Sequence, residues 1–186
     1  YWAEKYHNIH YIFSKDCKMS PNFLRKHGFP TDIREKILYV GACEKYKVDD
    51  LEIETLRSND AGVAFYVETR GASLFHAGDL NNWRWEGAGD IINSSMDRNY
   101  RGQINRIAKK HINIAFVPMD PRLGQHRCLG IDYFLKNTSA EYVFPMHMWQ
   151  DYSAIPEYKK QISNGTMAER IVEITHENQV FEMKEE

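Results

Sequence analysis

The sequence predicts an α/β protein, a layered sandwich in which mixed β-sheets are flanked by helices. Three observations carry this. Between residues 44 and 79 apolar and polar side chains alternate in short runs, the period-2 pattern of strands joined as a meander. Beyond residue 90 the spacing turns helical and alternates with short strands, the order of parallel crossover units. Two of those strands, INIAFVP at 112–118 and the start of EYVFPMHMW at 141–149, are apolar almost throughout, as in a sheet covered on both faces.

Taken in order, YWAEKYHNIHYIF reads as the end of an amphipathic helix followed by a strand, with IHYIFS at 9–14 as the strand itself. A chain opening on Tyr1 in mid-element leads us to expect further sequence upstream. MSPNFLRKHGF carries Ser20 as N-cap, Pro21 at the first helical position and Gly28 at the end. TDIREKILYV is a short helix or turn leading into a strand. EKYKVDDLEIETLRS, GVAFYVET and ASLFHAG form a meander of three or four strands, the last two divided by Arg70–Gly71. Residues 90–110 are helical, with Ile91, Ile92, Met96, Ile104 and Ile107 as apolar marks. LGIDYFLKN is a helix ending near Asn137, and IPEYKKQISNG is one with Gly165 as C-cap. ERIVEIT and QVFEMKE are read as two closing strands.

The 186 residues suffice for one domain, 1–186, with a real core. Apolar residues make up 42% and charged residues 27%, ordinary for a globular protein. Lys and Arg number 24 against 26 Asp and Glu, a net charge of -2, which argues against a nucleic-acid partner. Cys17, Cys43 and Cys128 are scattered and odd in number, so free thiols in the cytoplasm are expected rather than a disulfide frame or zinc knuckle. No apolar run reaches the length of a membrane span.

The chemistry gathers where buried strands end. Asp79 follows SLFHAG, Asp120 follows IAFVPM, and His147 follows YVFPM. Ligands of open α/β sheets collect at such carboxyl ends. An Asp, Asp and His set suits zinc, manganese or iron. Each residue also has an ordinary reading: Asp79 and Asp120 as turn or helix caps, His147 as a hydrogen-bonded wall residue. His76, on the strand before Asp79, is expected to be a buried structural histidine.

Taken together, LFHAGDLNNW, IAFVPMDPRLG and YVFPMHMW resemble the C-terminal half of a metallo-β-lactamase-fold hydrolase, in the branch of the ascorbate-phosphate lactonases. The resemblance implies an αββα sandwich with a dinuclear metal site in the cleft at its sheet edges. It makes Asp79 the carboxylate that bridges two metals, and His147 a ligand of one. The family's His-x-His-x-Asp-His signature has no counterpart among the eight histidines; HNIH at 7–10 precedes a strand instead of following one. The signature is expected upstream of residue 1, and the domain is expected to be incomplete there. Where many family members carry a ligand His before the Gly-Val strand, this chain has Arg57, Ser58, Asn59 and Asp60, of which Asp60 is the strong hard-metal ligand.

The implied cofactor is Zn(2+), Mn or Fe, two ions in a full site, with no ion in this chain alone as the alternative. A divalent metal lowers the pKa of water from ~15.7 toward ~7 and polarises the scissile group. The implied reaction is hydrolysis of a small ester, lactone or phosphorylated metabolite, with Asp79 as the catalytic carboxylate. Asn82, Trp83 and Arg84 of NNWRWEG are candidates for substrate contact, Arg84 as a clamp for phosphate or carboxylate; a loop pinned by packed tryptophans is the alternative. A basic cluster of Arg122, His126 and Arg127 reads as a solvated helix start. Two rival functions stand beside this one: a non-catalytic binding or assembly module that retains the fold, and a same-fold nuclease, which the mild acidity disfavours. No membrane partner is expected, and exposed apolar surface would favour a homo-oligomer.

Overall fold

The computed structural model describes residues 5, 6, 8–162 and 164–182. Eight strands occur among them. The first pair, β1 (Tyr11–Ser14) and β2 (Ile37–Val40), is a separate parallel two-stranded sheet. Between them lie helix α1 (Pro21–Lys26) and a 3-10 turn at Thr31–Lys36. Ser20 caps α1 as expected, its hydroxyl accepting from the Phe23 N–H at 3.1 Å. Of the helix end expected within YWAEKY, Lys5 is helical and Tyr6 is not; residues 1–4 and His7 lie outside the described residues.

The main sheet has six strands in the order β3 (Lys45–Val48), β4 (Leu51–Arg57), β5 (Val63–Glu68), β6 (Ser73–His76), β7 (Ile114–Pro118) and β8 (Tyr142–Met146). The first four form the antiparallel meander, and β6, β7 and β8 run parallel. Helices α2 (Asp90–Ile107) and α3 (Leu129–Asn137) make the two crossovers, followed by α4 (Ala154–Gln161) and α5 (Gly165–Glu169). The chain is therefore α/β with a mixed sheet flanked by helices. No helix among the described residues is long and apolar enough to cross a membrane.

One core joins Leu56, Tyr66, Phe75, Ala115, Val117 and Val143 of the sheet to Tyr100 and Ile104 of α2, Phe134 of α3 and Ile155 of α4. All these helices thus share one face. Strand register places Phe65, Leu74, His76, Ile114, Phe116, Phe144 and Met146 on the other face, where most are only partly buried. The both-faces-covered reading of β7 and β8 is thereby corrected: helices cover one face, and the second is apolar but half open. His76 belongs to that open face and is exposed, not buried as its apolar strand suggested.

Three more expectations change. Ile91 and Ile92 are 88% and 54% exposed, because the buried stripe of α2 runs through Asn93, Tyr100, Ile104 and Ile107. Gly165 does not close α4; the backbone leaves the helix at Ile162, and Gly165 opens α5 behind the Asn164 cap. Neither closing strand forms among the described residues. Ile171 makes an isolated bridge to Val143, and residues 172–182 cross the open sheet face as irregular chain, with Phe181 packed on Phe144.

Candidate metal centre at the strand ends

Because β6, β7 and β8 are parallel neighbours, their carboxyl ends share one sheet edge. Asp79, Asp120 and His147 meet there. His147 Nε2 lies 3.2 Å from Asp79 Oδ1, and its Nδ1 lies 3.8 Å from Asp120 Oδ2. Asp79 and His147 are partly open to solvent, whereas the Asp120 side chain is fully buried.

The loop after β6 is built to hold Asp79 still. Gly78 has φ +55, and a Cβ there would meet the Val63 carbonyl at 3.1 Å, so any other residue would be strained. The Trp83 indole donates to the Asp79 carbonyl at 2.8 Å. Asn59 brackets Asn81, accepting from its N–H at 3.2 Å and donating to its carbonyl at 2.7 Å. Asn93 of α2 does the same for Trp85, at 3.1 and 3.0 Å. Asn82 is buried and donates to Asp97 at 2.7 Å. Asn59 and Asn93 act as backbone substitutes, whereas Asn82 ties the loop to a side chain of α2.

On the other side, Asp120 is saturated. It caps the following 3-10 turn through the Arg122 N–H at 2.9 Å, and the Arg122 guanidinium grips both its oxygens. The Trp149 indole donates to it at 3.3 Å. Burial pushes the Asp120 carboxyl up, but these donors outweigh it and hold its pKa below the ordinary value. Arg122 also stacks on Trp149, its guanidinium carbon 4.5 Å from the ring centre. That clamp stabilises a strained turn: His147, Trp149 and Gln150 all have positive φ, at 62°, 49° and 66°. Trp83 packs on the His147 ring from behind, centroids 5.9 Å apart. His147 is thus fixed in a conformation that the sequence alone disfavours.

The remaining candidates are placed as follows. Trp83 is buried and stacked on Trp85, and Asn82 is buried, so both shape the loop from inside. The Arg84 side chain is partly exposed and makes no ion pair among the described residues. Asp60 is exposed in the β4–β5 turn, its own N–H donating to Ser58 at 3.1 Å. Its electrostatic neighbour is Arg122, and no hydrogen bond or ion pair joins it to Asp79 or His147. Among the described residues no three His, Cys, Asp or Glu side chains assemble into a metal-holding group. Asp79 and His147 therefore fit one edge of a coordination sphere, and not a whole one.

No protein-family profile matches the chain, and no curated protein matches it by sequence. Solved structures resemble it at low identity. A diiron β-hydroxylase, CmlA from Streptomyces venezuelae, is 12% identical with a TM-score of 0.48 over 75% of this chain and 30% of its own. A Thermotoga maritima protein assigned to the Zn-dependent hydrolases of the metallo-β-lactamase superfamily is 18% identical, with a TM-score of 0.36 over 60% of this chain and 49% of its own. Zn(2+)-bound PqqB from Methylobacterium extorquens is 12% identical, with a TM-score of 0.34 over 69% and 48%. The chain spans about a third to a half of the length of these proteins.

Proposed function

We propose that Asp79 and His147 form one edge of a divalent-metal site in a metallo-β-lactamase-type hydrolase acting on a small ester, lactone or phosphorylated metabolite. The observation that carries this is the 3.2 Å approach of a partly open carboxylate and imidazole at the carboxyl edge of three parallel strands. Both are hard or borderline donors suited to zinc, manganese or iron. Among the described residues no three such donors group around one point, so a whole coordination sphere needs ligands beyond this pair. A bound ion supplies Lewis-acid activation of water and of the scissile group. This chain's own contribution is orientation: Asp120, Arg122 and Trp149 hold the His147 turn, while Asn59 and Trp83 hold the Asp79 loop. Arg84, partly exposed, and Asp60, exposed, are proposed as a substrate contact and an auxiliary ligand. The three unpaired cysteines support a cytoplasmic location.

The missing third donor favours a second reading, a binding module that keeps the fold without catalysis. Hydrolysis of an aryl ester, a lactone and a phosphomonoester with Zn(2+), Mn(2+) or Fe(2+) separates the two. Turnover lost in both Asp79→Asn and His147→Ala supports the enzyme. Metal binding unaffected by either substitution overturns it.

A further inference from the structure

A groove of ≈ 750 Å³ begins at His147 and runs along the open sheet face beneath the 172–182 segment. Its walls are Phe116, Phe144, Met146, Tyr152, Ile174 and Phe181, with His147, His176 and Glu177 as ionisable groups. The volume falls in the range of small-molecule sites, roughly 300–1,000 Å³, and so does the pattern of an apolar body with a few polar groups. No Lys or Arg lines it among the described residues. The guanidinium beside His147, that of Arg122, is committed to Asp120. A phosphate dianion entering here would lose its hydration, gain no fixed cation, and face Glu177. A neutral ester or lactone loses little and buries its hydrocarbon against aromatic rings.

We infer that this groove binds the body of an uncharged, aryl- or alkyl-bearing ester or lactone, its carbonyl end at His147, and discriminates against phosphorylated substrates. The inference rests on the proposed function for its reacting end, and on the groove alone for its ligand class. Asn178, Gln179 and the rest of the 172–182 segment make the outer wall, so the same segment sets which bodies fit.

The test is metal-free binding to the 186-residue chain in EDTA, by calorimetry, of two matched probes: N-phenylbutanamide, a non-hydrolysable neutral analogue, and phenyl phosphate. The anilide binds saturably, at least tenfold tighter than phenyl phosphate. Phe144→Ala weakens the anilide tenfold or more. Glu177→Lys, at an exposed position whose carboxylate accepts from Gln150 at 2.7 Å, raises the affinity for phenyl phosphate severalfold relative to that for the anilide. Equal or tighter binding of phenyl phosphate overturns the inference, as does absence of saturable anilide binding to the folded Glu177→Lys and unaltered chains, which would mean protein fills this face. Failure of the metal reading leaves these affinities unmoved, so the two failures are distinguishable.

Discussion

Removing Arg122 should destabilise the protein more than its half-exposed position suggests, and removing its partner's charge as well should restore part of the loss. The pair is asymmetric: the Arg122 side chain is 49% exposed and the Asp120 side chain 0%. Arg122→Ala strands a buried carboxylate, whereas loss of Asp120 lets the guanidinium turn to water. Stripping one partner from a buried pair costs ~3–5 kcal/mol. Here the residue-122 N–H and the Trp149 indole still donate to Asp120, so about 2–3 kcal/mol is the expected cost. In a chain of this size that is a fall in Tm of about 5–10 °C. Asp120→Asn with Arg122→Ala keeps an acceptor for the turn N–H without the charge, and should lose only about 1–2 kcal/mol. The pH dependence has a definite sign. The folded-state pKa of Asp120 is depressed, so its contribution is present above the ordinary carboxylate value and is lost as pH falls through the folded value. In Arg122→Ala that pKa rises, and the gap between variant and parent closes as acid protonates the carboxyl in both. Thermal melts followed by circular dichroism from pH 7 downward provide the assay. A double variant as unstable as the sum of the singles, or an Arg122→Ala loss under about 1 kcal/mol, refutes the reasoning.

Other expectations follow from the same packing. Tyr100 is fully buried and its hydroxyl donates to the Gly130 carbonyl at 2.8 Å; Tyr100→Phe leaves no cavity but removes that bond, costing about 1 kcal/mol in urea unfolding. Arg170 donates to the carbonyls of Ala140, Leu135 and Thr138 at 2.5, 2.9 and 3.0 Å, so Arg170→Met should cost about 2 kcal/mol and fray the end of α3 by hydrogen exchange. Asp16 is held below the ordinary carboxyl value by Ser14 and by the Gly62 N–H, 2.7 Å away. The Gly62 amide signal in NMR should therefore titrate with a midpoint below 3.8, the tie being present above it and lost on acidification.

The strand-end residues were legible because an apolar run followed at once by Asp or His needs only local reading. The parallel order of β6, β7 and β8, which brings those ends together, followed from the helices between them. What was not legible depended on distant partners. ERIVEIT and QVFEMKE have strand composition, but among the described residues the chain beside β8 makes a bridge only at Ile171, and residues 172–182 turn across the sheet instead. Ile91 and Ile92 look like core, but Tyr100, Ile104 and Ile107 set the helix phase and leave them outside. The asparagine brackets at Asn59 and Asn93 were missed because a side chain replacing a backbone partner has no periodic signature. Likewise, nothing in PMHMWQ announces three left-handed residues; Trp149 is held there by Asp120 and Arg122, which lie some 30 positions earlier in the chain.

The account's central claim is that Asp79 and His147 share a metal ion. Paramagnetic broadening by Mn(2+), followed residue by residue in NMR spectra of the chain, tests it most directly, because exposed histidines elsewhere also attract metal. The account predicts that the Asp79 and His147 signals broaden first and together, and that His147→Ala protects Asp79. Broadening that begins at His27, His111 or His126 and leaves Asp79 sharp would contradict it.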